Sequence, residues 1–161
     1  LRSRGLGDVY KRQMENIQHY YVNISAPNLV VICIDENDSE ERTGRMYHCY
    51  SSEPRKFFSV VELIRIMEEF FDDIAYPQAS TMTRYFQNTE KKENVRYCKD
   101  LPEKVAEQKE IIGYRGKKGT LITYVQFRQN SDWQGQISWP EKKRVCRFGS
   151  TLEFVKILSE V

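Results

Sequence analysis

Soft metal ligands are scarce in this chain and badly spaced. It holds two histidines, His19 and His48, and four cysteines, Cys33, Cys49, Cys98 and Cys146, with no C-x-x-C and no short Cys/His spacing. A zinc site draws on close ligand pairs, so no metal and no cofactor is expected. Also missing are a Gly-rich phosphate loop, a G-x-S-x-G turn and a Cys–His pairing in a known context. The expectation is a non-enzymatic protein with no catalytic residues. No apolar run approaches the roughly 18 residues of a membrane-spanning helix. The first residues lack the apolar stretch of a signal peptide, so none is predicted. Three of the cysteines fall in strand-like runs, where a reduced thiol acts as a small core residue. That predicts a reducing, cytoplasmic setting.

What is present supports a packed core: 161 residues, 40% hydrophobic, 12% aromatic and 30% charged. Residues 1–13 (LRSRGLGDVYKRQ) stand apart. They begin without Met, precede the plausible initiator Met14, and resemble a translated sequencing-adapter scar, so they are read as a non-native extension. They carry a net charge of +3 against +2 for the whole chain, which leaves −1 from Met14 onward. Global charge therefore gives little reason to expect a nucleic-acid binder. The remaining charge is uneven. Residues 14–94 hold 8 Lys and Arg against 14 Asp and Glu, a net of −6; residues 95–161 hold 13 against 8, a net of +5. Either two halves attract each other, or the second half carries a basic binding face.

The strongest pattern is a repeat at an offset of 91 residues. SVVELIRIM (59–67) lies over STLEFVKIL (150–158) without a gap, and NLVVICI over GTLITYV. Gly44 meets Gly135, Phe57 meets Phe148, Ser59 meets Ser150, and Glu62 meets Glu153. Each copy predicts a first strand (Leu29–Glu36, Thr120–Arg128), a polar turn closed by Gly44 or Gly135 with a positive φ or a bulge, and a second strand (Arg45–Ser51, Gln136–Trp139). A short third strand ends at Phe57 or Phe148. A helix follows with a capping box: Ser59 or Ser150 accepts the N3 N–H, and Glu62 or Glu153 reaches back to the Ser N–H. Phe58 and Leu63 suggest a hydrophobic staple in the first copy. The first helix runs to about Asp73 on a stripe of Val60, Leu63, Ile64, Met67, Phe70, Phe71 and Ile74, and Pro77 closes it. The second spans Thr151 to about Ser159, with Leu152, Val155, Ile157 and Leu158 apolar.

Ile17–Ser25 reads as an additional strand, and Thr81–Phe86 as extended. Pro102–Ile112 reads as a short helix, and RGKKG (115–119) as a loop. The predicted organisation is 14–77 for the first ββ(β)α repeat with its extra strand, 78–118 for a charged connection, and 119–161 for the second repeat. Units of about 45 residues are marginal alone, so one α+β domain is expected, an antiparallel sheet with helices on one face.

Candidate binding residues cluster in the second copy. Alternation puts Trp133, Gly135, Ile137 and Trp139 on one strand face, leaving the tryptophans either as core or as an exposed binding surface. The first copy has Arg42 and His48 in their places. Lys142, Lys143, Arg144 and Arg147, with Arg115, Lys117 and Lys118, could touch phosphates, with Tyr124 and Phe127 as stacking partners. Lysines in turns and on edge strands also serve solubility. Asn130–Gly135 comes near the N-x-S-x-x-G turn of the PilZ domains, which bind a cyclic dinucleotide; Asp132 replaces its Ser, and no paired arginines precede it. Asp35, Glu36, Asp38, Glu40 and Glu41 read as a solvated hairpin tip.

The run YVQFRQNSDWQGQISWPEKKRVCRFGSTLEFVKIL resembles a family of short proteins from gut Clostridia and related Firmicutes. Their C-terminal ends read F-R-Q-N-x-x-W-Q-G-x-[IV]-x-W, then F-R-S-x-x-E-[LF]-[IV]-K-[IL]. Phe127 to Trp139 match the first pattern; Phe148, Ser150, Glu153 and Lys156 match the second, with Gly149 departing from Arg. GRMYHCYSSEPRKFFSVVELIRIMEEFFDDIAYPQAS resembles the N-terminal part of the same proteins. The resemblance spans most of 28–161 and implies a cytoplasmic protein of anaerobic bacteria, with no implied activity. Three functions stay open: a regulatory or adaptor module binding a protein partner or itself, a nucleic-acid binder using the basic second repeat, and a small-ligand (nucleotide) sensor. No membrane association is expected.

Overall fold

A computed structural model of the chain describes residues 23, 25–37, 41–79, 101–129 and 132–161. The strands are β1 (Val30–Asn37), β2 (Arg42–His48), β3 (Arg55–Phe57), β4 (Gly119–Gln129), β5 (Asp132–Trp139) and β6 (Arg144–Phe148). The helices are α1 (Val60–Asp73), α2 (Gln108–Ile111) and α3 (Thr151–Ser159). All six strands form one sheet in the order β3-β2-β1-β4-β5-β6, every neighbour antiparallel. The expected α+β class and antiparallel sheet are what is found.

The central strands explain their own composition. Val30 to Ile34 of β1 and Gly119 to Val125 of β4 are continuously buried, because both faces of the sheet are covered there. Strands covered on both sides lose alternation and become apolar throughout. Val30, Ile32 and Ile34 pack beneath α1 and α3 with Leu121, Val125, Trp133, Phe148 and Phe154. Val31, Cys33, Ile122 and Tyr124 face the other way, against Ala26, Leu29, Ile111 and Ile112. Helices on one face was therefore half of the arrangement. The two long helices share a face, while α2 and the segment leading to it cover the opposite one, tied down by Val105 and Ala106 N–H donating to the Cys49 carbonyl.

Several local readings need correction. The helix expected over Pro102–Ile112 is confined to Gln108–Ile111. β2 starts at Arg42 and β5 at Asp132, each ahead of the glycine expected to end the preceding turn. Leu152 and Phe58 are exposed, so neither joins the core and the Phe58–Leu63 staple does not form; Phe154 and Ile66 are buried instead. Ile17–Ser25 lies almost wholly outside the described residues, and its last residue, Ser25, is in a turn. Thr81–Phe86 lies outside them too.

The serine half of each cap is as expected, while the glutamate half reaches one residue further back than the Ser N–H. Ser59 Oγ accepts from Glu62 N–H and Ser150 Oγ from Glu153 N–H, each at 3.1 Å. Glu62 and Glu153 return by accepting from Phe58 N–H at 2.8 Å and Gly149 N–H at 2.6 Å. At the far end of α1, Ala75 N–H donates to Asp72 O and Tyr76 N–H to Phe71 O, a Schellman-type closure with Ala75 at φ 50°. The Tyr76–Pro77 bond is cis.

Gly44 and Gly135 do not adopt a positive φ. They sit within β2 and β5, opposite Phe57 and Phe148. The bulges lie on the partner strands, at the register shifts Ile34/Glu36 and Val125/Phe127. Glycine is required by close approach. A Cβ on Gly44 would overlap the Cys33 carbonyl and stand 2.9 Å from the Phe57 ring; on Gly135 it would overlap the Tyr124 carbonyl and stand 2.7 Å from the Phe148 ring.

Gly44→Ala and Gly135→Ala are each expected to cost at least about 2 kcal/mol in denaturant unfolding. Gly149→Ala, whose new methyl would meet only the Glu153 carboxylate at 3.6 Å, should stay within about 0.5 kcal/mol. Ala75→Gly relieves a left-handed alanine and should stabilise by about 0.5–1 kcal/mol in the same measurement.

Candidate functional site

Both tryptophans are core. Trp133 sits between Phe71 of α1 and Phe154 of α3, at centroid distances of 5.6 and 5.5 Å, in edge-on geometry. Its indole N–H donates to Glu68. Trp139 is also buried, and the Lys142 ammonium lies 3.5 Å from its ring centroid. The alternation read from the sequence is correct, and it points the tryptophans toward the helices. An exposed tryptophan binding face is thus not what the fold presents.

The basic group is split by strand parity. Arg144 pairs with Trp139 in register and turns toward the end of α3, reaching Glu160 at 3.3 Å; Lys142 donates to the Glu160 carbonyl. Lys143 occupies the turn at φ 50°. Arg147 pairs with Gln136, one residue out of phase with Arg144, and so belongs to the other sheet face. Of the more distant cations, Arg115 donates to the carbonyls of Ile112 and Tyr114. Tyr124 is buried in the second core cluster, and Phe127 is exposed.

The structure brings together residues that sequence reasoning did not single out. Arg128, nearly buried at the end of β4, donates to Glu68 at 2.6 Å, Asp72 at 2.7 Å and the Pro77 carbonyl at 3.4 Å, with its guanidinium over Phe71. The negative first half and positive second half meet here, and the group ties α1 to the sheet. Asp132 accepts from Thr151 N–H at 2.5 Å and from its hydroxyl at 2.6 Å, which together hold its carboxyl below the usual range. It caps α3, which explains an acid where a PilZ turn would have serine. On the other face, Arg45 forks onto Asp35 at 2.7 and 3.0 Å and reaches the Tyr47 hydroxyl. Tyr47 stacks on Tyr114 at 4.2 Å. Asp35 thus belongs to an ion pair rather than to a solvated tip; Arg45 pulls its carboxyl down.

Burial makes two of the cysteine thiols harder to ionise. The Cys33 thiol is pushed up to about 11 and Cys49 is raised, desolvation leading in both. Among the described residues, no group of three or more His, Cys, Asp or Glu is arranged to hold a metal ion.

His48 is the exception to the inert core. It occupies the place that Trp139 takes 91 residues later, is 9% exposed, and stacks on Phe70 at 4.2 Å. Its Nδ1 accepts from Tyr50 N–H at 3.3 Å. It lines a cleft of about 290 Å³ with Tyr50, Ser51, Arg55, Phe70, Asp73, Ile74 and Pro102. Burial, assisted by the Arg55 charge, lowers its pKa to about 4.

No protein-family model matches the chain, and no curated protein or solved structure matches it. No helix among the described residues is long and apolar enough to cross a membrane.

The histidine gives stability a defined pH dependence. Its folded pKa lies below the unfolded 6.5, so the neutral ring contributes fully above that value, and the contribution is lost as pH falls toward 4. Between pH 7 and 4 the protein should lose up to about 3 kcal/mol of unfolding free energy. His48→Phe, which keeps a ring against Phe70, should flatten that window in denaturant titrations. Asp35 and Asp132, with lowered pKa values, act only below it.

Proposed function

We propose that the protein is a non-enzymatic regulatory or adaptor module that binds a protein partner, or a second copy of itself, through its helix layer. The observation that carries this reading is the exposure of large apolar side chains at the starts of the two long helices. Val61 is 77% exposed, Leu152 63% and Phe58 63%. Val61 and Leu152 are 91 residues apart. Phe58 and Val61 lie three residues apart in sequence, on either side of the Ser59 cap. Single exposed apolar residues are ordinary, but apolar choices at matched solvent-facing positions are what an association surface uses.

The reading includes the architecture. The chain is taken as two copies of one ββ(β)α unit. Matched caps, matched bulges and matched glycine–phenylalanine contacts at one offset support that. So does the central register, where Val31 faces Ile122, the residue at its own position in the second copy. A reducing bacterial cytoplasm is the proposed setting, supported by free Cys33, Cys49 and Cys146 and by the resemblance to the clostridial proteins. The nucleic-acid reading has less support, because Arg144 and Arg147 lie on different faces. The nucleotide-sensor reading has less support too, because Asp132, which stands where the PilZ turn has Ser, is bonded to the start of α3.

Light scattering and pull-down at about 0.05 and 1 M salt test the proposal. Apolar association should persist at high salt, and Val61→Ser with Leu152→Ser should abolish it without shifting the unfolding midpoint. A strict monomer that retains no protein at either salt would overturn it. Retention of nucleic acid at low salt, lost at high salt by protein starting at Met14, would select the rival.

A further inference from the structure

The cleft beside His48 lies where the two halves differ in sequence. In the second half the larger Trp139 fills the equivalent place under Lys142, and α3 has nine residues against the fourteen of α1. In the first half, the extra turn of α1 forms one wall, the β2–β3 hairpin the other, and Pro102 closes the end. About 290 Å³ remains open. At the liquid share of about 30 Å³ per water, that accommodates roughly ten heavy atoms.

The lining has a defined polarity. His48 is nine-tenths buried, and its Nδ1 is an acceptor for Tyr50 N–H, so the neutral ring carries its proton on Nε2. That N–H donor makes no hydrogen bond among the described residues, and the stack on Phe70 fixes the plane of the ring. Arg55 brings a positive charge whose own contacts are long: 3.4 Å to the Ile66 carbonyl and 3.5 Å to Glu69. A shorter, charge-assisted partner would replace them. Phe70 and Pro102 supply apolar surface. Asp73, an exposed carboxylate on the same cleft, repels a second negative charge.

We propose that this cleft binds a small monocarboxylic acid with an aromatic or branched apolar body. Its carboxylate is held by Arg55 and the Nε2–H of His48, and its body lies against Phe70 and Pro102. Dianions are disfavoured by Asp73, and ligands without an acid group gain only the apolar wall. This site stands apart from the association surface around Val61 and Leu152, so either proposal can fail without the other.

The probe is 3-phenylpropionate, titrated into the full chain labelled with 13C-histidine and followed by NMR at pH 7. The His48 ring signal should shift saturably with a dissociation constant of about 1 mM, as expected for so small a ligand. Bound carboxylate should also raise the titration midpoint of His48 above about 4, because an adjacent anion favours the imidazolium. 3-Phenylpropanol and succinate should each bind at least about tenfold more weakly, and Arg55→Gln should cost the acid a similar factor. Lys142→Gln with Arg144→Gln, in the other basic group, should change nothing. Absence of saturation at about 20 mM would overturn the proposal, as would equal binding of the alcohol, which would mean apolar adsorption alone. The ligand series uses the unaltered protein, so its outcome does not depend on whether Arg55→Gln folds.

Discussion

The antiparallel pairing of β1 with β4 is the contact on which everything else rests. It joins residues from opposite ends of the chain, Val30 to Thr123 and Ile34 to Gly119, and it turns two three-stranded sheets into one six-stranded sheet. Without it, each half would expose a strand that the whole sheet buries on both faces, because Val30 to Ile34 and Gly119 to Val125 are continuously buried and, apart from Thr120, Thr123 and the Tyr124 hydroxyl, apolar. A three-stranded unit with one helix buries too little to hold such a strand in isolation. Pairing solves the edge and the core together: it satisfies the ladder groups, and it lets α1 and α3 lie over one continuous face. The long-range bonds reinforce that geometry. Arg128 crosses to Glu68 and Asp72, and Arg42 crosses in the opposite sense to the Ser159 carbonyl. Each half thus clamps the helix of the other.

The same pairing explains what could be read from the sequence and what could not. The serine caps were legible because S-x-x-E is a local device; that each glutamate bonds the residue before the serine was not. The helix over Val60–Asp73 was legible because its period is set by one buried face. The glycines were legible as special positions, but not in their reason. A turn glycine and a glycine crowded by a neighbouring strand look alike in sequence, and only the Cys33 and Tyr124 carbonyls reveal which is present. The charge of Arg128 was counted in the sequence, yet its place under α1 depends on a partner 60 residues away. The covering of the second sheet face by α2 was hidden for a similar reason. Its helix is four residues long, and its burial comes from Ile111 and Ile112 meeting Val31 and Cys33, not from any period of its own.

Trp133 and Trp139 show how alternation can be read correctly and still leave the function open. Placing them on one strand face says nothing about what lies above that face. The presence of α1 and α3 makes it the core, and the indole N–H, which would be costly to bury alone, finds Glu68. Once the tryptophans are committed to packing, the differences between the halves must be sought elsewhere.

Those differences concentrate at position 48 and its equivalent. On the proposed two-copy reading, the sheet carries the same packing problem twice and answers it differently. In the second half the answer is a tryptophan sealed by a lysine. In the first it is a neutral histidine against a phenylalanine, with a cleft beside it. The histidine answer leaves a charge-sensitive ring buried at a cost that rises as pH falls. Packing alone does not explain it, because an apolar ring would fill the place without that cost. A group kept at that energetic disadvantage, with one donor unspent among the described residues and a cation beside it, fits the proposed recognition role better than a role in packing alone.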